Sequence, residues 1–115
     1  MKITSEMKKG CAVFVIDGSV ELFAADEIER TISQAVKKKS YDRVVIDLHG
    51  VDYIDSTGIG AFLKLTAAFR GITAIRICGL QPTIASLFKV INMNKLVPVD
   101  GTVDESIRAL TAGRS

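Results

Sequence analysis

The residues best suited to chemistry lie together in Val51-Asp-Tyr-Ile-Asp-Ser-Thr-Gly-Ile-Gly60. This run follows an apolar segment and opens a helical pattern, so Asp55 or Ser56 can cap the amides exposed at a helix start. A cap needs one polar residue, yet Asp55, Ser56 and Thr57 are consecutive. Gly58 and Gly60 fall in the first helical turn, where each costs about 1 kcal/mol relative to alanine. Two glycines there predict the close approach of another backbone or another protein. A phosphate on Ser56 would meet unpaired amides and the positive end of the helix dipole, so the helix start can accept the modification without unfolding. The charge of Asp55 would repel the new dianion. That conflict suits a switch, because the added charge alters the surface a partner meets.

Other chemistries fit less well. Ser56-Thr-Gly-Ile-Gly60 lacks the Gly-Lys-Ser/Thr ending of a phosphate-binding loop and the third glycine of a dinucleotide fingerprint. His49 is the one histidine; it ends a strand in a turn and reads as a solvated side chain, so no nucleophile–base pair and no catalytic residue is assigned. Cys11 and Cys78 stand in apolar surroundings without C-x-x-C spacing. They read as buried, reduced strand residues, which leaves neither a disulfide nor a metal site. No cofactor is expected. A formal net charge of +2 is too small for a nucleic-acid footprint. The one basic cluster, Lys37-Lys38-Lys39, ends a helical pattern, where cations complement the dipole. Apolar runs are broken within a few residues and the start has no apolar h-region, so the expectation is a cytoplasmic chain with no membrane segment.

The elements that must hold the Ser56 segment can be traced from both sides. Residues 2–7 predict a short edge strand, residues 8–10 a turn, and residues 11–17 a buried strand rich in β-branched residues, together an antiparallel hairpin. Residues 24–38 carry Ile28, Ile32, Ala35 and Val36 at helical spacing. Residues 43–48 form a continuous apolar run, as in a central strand covered on both faces. A helix over 56–69, a strand over 72–78, a helix over 82–91 with Pro82 in its first turn, a strand over 96–99 and a helix over 103–112 follow. Strand and helix alternate after Tyr41, which predicts parallel strands joined by right-handed helical crossovers. Hydrophobic residues at 48% suffice for one core in one domain spanning 1–115.

Beyond this α/β reading, the run Val44-Val-Ile-Asp-Leu-His-Gly-Val-Asp-Tyr-Ile-Asp-Ser-Thr-Gly-Ile-Gly60 resembles the STAS domain of bacterial anti-sigma-factor antagonists. Gly79-Leu80 and Ile84-Ala-Ser-Leu-Phe88 extend the resemblance over nearly the whole chain. It implies a single STAS-like α/β domain with a mixed, mostly parallel sheet of about four to five strands and helices packed against it. It also implies that Ser56 accepts phosphate from an anti-sigma factor with ATP-dependent serine kinase activity. Asp55, Thr57, Gly58, Ile59 and Gly60 would flank the phosphosite and meet that partner. The unphosphorylated form would bind the anti-sigma factor and free the sigma factor, and a PP2C-type phosphatase would restore it. Where many relatives carry Gly-Glu-Leu-Asp after the second strand, this chain reads Gly18-Ser-Val-Glu21. Glu21 keeps the carboxylate but extends it by one methylene. The alternative within the family is a STAS scaffold or transport accessory subunit without a phosphorylation cycle; a nucleotide-binding enzyme is the alternative outside it.

Overall fold

The apolar runs become the strands of one sheet in a computed structural model that describes residues 1–112. In chain order the elements are β1 (Lys2–Lys8), β2 (Cys11–Asp17), α1 (Leu22–Lys39), β3 (Arg43–Gly50), α2 (Ser56–Ala68), β4 (Ala74–Cys78) and α3 (Pro82–Val90). A 3-10 turn at Met93–Lys95, β5 (Val99–Asp100) and α4 (Val103–Thr111) complete the described chain. The sheet order is β1-β2-β3-β4-β5. β1 pairs antiparallel with β2, and the remaining pairs are parallel, so the sheet is mixed as expected.

Sequential parallel strands joined by crossovers of one hand place every crossover helix on one face. Ile28 and Ile32 of α1, Phe62 and Leu65 of α2, and Ile84 and Phe88 of α3 accordingly share a core with Phe14, Ile46, Leu48 and Ile77 of the strands. α4 follows β5 and covers the other face through Ile107, over Cys11, Val13, Val45 and Cys78. β2 and β3 are thus buried from both sides, which accounts for their unbroken apolar sequence. Arg76 donates to Asp100 at 2.7 and 3.0 Å, and the Ser106 hydroxyl donates to the same carboxylate at 2.6 Å, tying β4, β5 and α4 together. Both cysteines are buried and free. Burial, followed by the charge of Asp47, pushes the Cys78 thiol up to about 12.

Several element ends differ from the sequence expectation. α1 starts at Leu22, not 24; Leu22 and Phe23 face solvent and stand outside the buried stripe that begins at Ala25, so the apolar period does not register them. β4 starts at Ala74, not 72. The amides of Ile72 and Thr73 both bond the Phe69 carbonyl and so belong to the exit of α2. The expected strand over 96–99 is mostly the exit of the 3-10 turn: Leu96 and Val97 donate to the Met93 carbonyl, and pairing with β4 begins only where Ile77 donates to the Pro98 carbonyl. Proline supplies no amide to a ladder, so the strand can join only beyond it.

Candidate functional site

The start of α2 is held by its neighbour in the sheet. Val51 and Ile54 are buried and anchor the segment between β3 and α2. Val20 donates to the Tyr53 carbonyl at 2.8 Å, and Asp55 donates to the Val20 carbonyl at 3.0 Å, making a short parallel bridge between Val20 and Ile54. The connection from β2 to α1 is thereby stitched to the connection from β3 to α2. Because β2 and β3 are parallel, the two helix starts lie side by side at the carboxyl edge of the sheet.

Asp55 makes the cap. Its Oδ1 accepts the Gly58 amide at 2.9 Å and the Thr57 hydroxyl. The Thr57 hydroxyl, then the Gly58 amide, hold the Asp55 carboxyl below the ordinary carboxylate range, and the amides of Thr57 and Leu22 act in the same direction. Leu22 is the first residue of α1, so the Asp55 carboxylate feels the start of α1 as well as that of α2, the helix it caps. Ser56, the first residue of α2, is exposed and is not needed for the cap.

The remaining residues singled out in the sequence divide into two groups. Gly58 is buried. A Cβ there would lie 2.6 Å from Cγ2 of Ile54, 2.8 Å from Cγ1 of Val20 and 3.0 Å from the Val20 carbonyl oxygen. The close approach expected at this glycine is therefore made within the chain itself, by the side chains of Ile54 and Val20 and by the Val20 carbonyl. Ile59 is half-buried and packs on the core. At Gly60 a Cβ would find nothing within 4 Å beyond its own helical turn. With Leu22, Ala25, Thr57, Ala61 and Lys64, Gly60 lines an open groove of about 290 Å³ between α1 and α2. Glu21 occupies the N-cap position of α1 without a side-chain bond to the helix. It adjoins Val20, whose carbonyl takes the Asp55 amide, so Glu21 and the Ser56 segment share one edge. What the sequence reading missed is the apolar pair beside them. Leu22 is 58% and Phe23 86% exposed; two large apolar residues off the buried helical stripe were the available signal.

His49 is exposed, but its Nδ1 lies 2.9 Å from Oδ2 of Asp47, a carboxylate only 7% accessible as a residue. The imidazole is tethered rather than freely solvated. Among the described residues, no group of three potential ligands could hold a metal ion, and no helix is long and apolar enough to cross a membrane.

This geometry presents a free serine hydroxyl at a capped helix start, with the positive end of the helix dipole beneath it and a carboxylate beside it. The STAS domain family model matches residues 2–106. An anti-sigma F factor antagonist of Paenibacillus polymyxa is 23% identical over 96% of this chain and 93% of that protein. A solved anti-sigma factor antagonist of Mycobacterium paratuberculosis superposes with a TM-score of 0.81 at 22% identity, covering 94% of this chain and 92% of its own. The phosphorylated form of the Bacillus cell fate determinant SpoIIAA superposes with a TM-score of 0.72 at 19% identity, covering 95% and 99%. At those identities the structural likenesses establish the fold.

Proposed function

The chain belongs to the STAS domain family, and on that premise we propose that it is an anti-sigma-factor antagonist switched by phosphorylation of Ser56. The unphosphorylated form binds an anti-sigma factor with ATP-dependent serine kinase activity and releases the sigma factor. One observation carries the reading: Asp55, not Ser56, caps α2, so the Ser56 hydroxyl can be modified without removing the cap. Kinship with an anti-sigma factor antagonist along nearly the whole chain supports the choice of partner.

In the transfer, Oγ of Ser56 forms a bond to the γ-phosphorus of ATP, the bond to ADP breaks, and the hydroxyl proton passes to a base on the kinase. The product carries about −1.5 to −2 charge at neutral pH, beside Asp55 and at an edge that also holds Glu21. Docking a partner on this edge desolvates it, and an uncompensated buried charge costs several kcal/mol. Exposed Leu22 and Phe23 supply the apolar contact that phosphorylation places next to an anion. A PP2C-type phosphatase reverses the step by hydrolysing the phosphoserine. On this reading the chain is a substrate and binding module, not an enzyme.

The test is phosphopeptide mapping after incubation with ATP and a candidate kinase, alongside ATP alone. Phosphate is expected on Ser56 only when the kinase is present, and Ser56→Ala is expected to fold and remain unmodified. Phosphate on Thr57 or Ser86 would sink the assignment, and incorporation or hydrolysis with ATP alone would favour a nucleotide-using enzyme.

A further inference from the structure

At the edge of the sheet opposite Ser56 the cations collect. The β1–β2 turn brings Lys8 and Lys9 to the edge where β3 begins. α1 runs back to the same edge and ends in Lys37, Lys38 and Lys39, and the exit of α2 adds Arg70, with Asp42 the acid among them. Cations at a helix carboxyl end complement its dipole, which accounts for the lysines. It does not account for the groove beside them. Between the last turns of α1 and α2 lies a cleft of about 320 Å³ lined by Val36, Tyr41, Phe69 and Ile72, with Lys37 and Asp42 also in its lining. Ile72 is 72% exposed.

The Ser56 edge carries the opposite shape and the opposite sign. Phe23 projects from the first turn of α1, with Glu21 before it and Asp26 and Glu27 after it, all exposed. One end of the molecule thus offers a protruding aromatic ring beside acids, and the other an apolar cleft that Lys37 and Asp42 help to line, with Lys38 and Lys39 following in the last turn of α1.

We propose that the chain associates with a second copy of itself head to tail, Phe23 of one copy seating in the Val36–Tyr41–Phe69–Ile72 cleft of the next. Glu21 and Glu27 then face Lys37, Lys38 and Lys39, while Asp26 stays paired with Arg30 at 3.4 Å in its own helix. Like charges set head against head or tail against tail repel, so the symmetric dimer is disfavoured and the complementary pairing selected. Such a contact is heterologous, leaving a free head and a free tail that add further copies or close into a ring. The association needs neither kinase nor phosphate. Its consequence, which alone rests on the function proposed above, is that an occupied head withholds Leu22, Phe23 and Ser56 from the kinase.

Sedimentation velocity of the full chain by itself tests this. At 0.01 M salt, where the screening length is about 30 Å, the mean mass is expected to rise with protein concentration. At 1 M salt, where that length is about 3 Å, it should fall toward the 12.4 kDa of one chain. The head variant Phe23→Glu and the tail variant Lys37→Glu/Lys38→Glu/Lys39→Glu each alter exposed positions, and each is expected to weaken association at least tenfold. Mixed together, the two variants retain one intact head and one intact tail. The mixture is expected to form a pair and nothing larger. Ile72→Lys provides a second tail variant should the triple one lose its circular dichroism. A wild-type chain that stays monomeric at low salt overturns the proposal, as does a mixture that stays monomeric while the wild type associates. Because no kinase or ATP is present, either result leaves the Ser56 switch untouched.

Discussion

Gly58 and Gly60 stand two residues apart in the same helical turn, yet adding one methyl group at each should move stability in opposite directions. At Gly58 the new Cβ would sit 2.6 Å from Ile54 Cγ2, 2.8 Å from Val20 Cγ1 and 3.0 Å from the Val20 carbonyl oxygen. Valine and isoleucine are stiff at χ1 and both are buried here, so neither can swing aside. The third contact is the acceptor of the Asp55 amide, so relieving it strains the bridge that holds the two helix starts together. Helix propensity favours alanine by about 1 kcal/mol. Overpacking costs about 1–3 kcal/mol and a weakened hydrogen bond about 1 kcal/mol. Gly58→Ala should therefore lose about 1–3 kcal/mol net, lowering Tm by roughly 4–12 °C at roughly 4 °C per kcal/mol. Gly60→Ala, with open space around the added carbon, should gain up to about 1 kcal/mol. Urea and thermal unfolding followed by circular dichroism decide it. A Gly58→Ala chain as stable as the wild type would refute the packing assigned to Val20 and Ile54.

Two further expectations concern charge and the thiols. Hydrogen bonds from Arg76, opposed by burial and helped by Ser106, hold the Asp100 carboxyl below its ordinary range. A depressed carboxyl stabilises the fold above its unfolded pKa of about 3.9, and that share is lost as pH falls through the lower folded value. Arg76→Ala should lose about 1–3 kcal/mol at pH 7, with the gap to wild type narrowing in urea titrations below about pH 4; a constant gap across pH would contradict the pairing. With Cys11 and Cys78 both buried and the Cys78 thiol pushed up to about 12, Ellman's reagent at pH 8 should label neither in the native chain and both in urea. Rapid native labelling would place a thiol at the surface.

Most of the fold was legible because β2, β3 and the helices announce themselves by period. The continuous run from Val44 to Leu48 signals burial on both faces, and Ile28, Ile32 and Val36 mark the inner face of α1. The ends were less legible where main-chain bonds decide them. The turn at Ile72 and Thr73 is set by one carbonyl, that of Phe69. β5 is short because a proline precedes it, and a β-branched composition reads as strand on either side of Pro98. At the site, the polar cap and its exposed neighbour could be named from Asp55-Ser56-Thr57, though not which of them caps. The reason for Gly58 lay in Val20, far off in sequence, whose side chain and carbonyl meet it only once β2 and β3 pair. Phe23 was passed over because a buried-stripe criterion discards apolar residues that face outward, and those are the ones free to meet another protein.

The proposed switch stands or falls on whether a charge at Ser56 changes binding. Titration calorimetry of the wild-type chain, Ser56→Ala and the Ser56-phosphorylated chain against one anti-sigma factor measures that directly. The hydroxyl and alanine forms should bind alike. The phosphorylated form should bind at least tenfold more weakly, a loss of about 1.4 kcal/mol or more, while its circular dichroism stays unchanged because the helix start tolerates the charge. Equal affinities for all three forms would contradict the switch and leave a STAS scaffold that binds its partners without regard to phosphate.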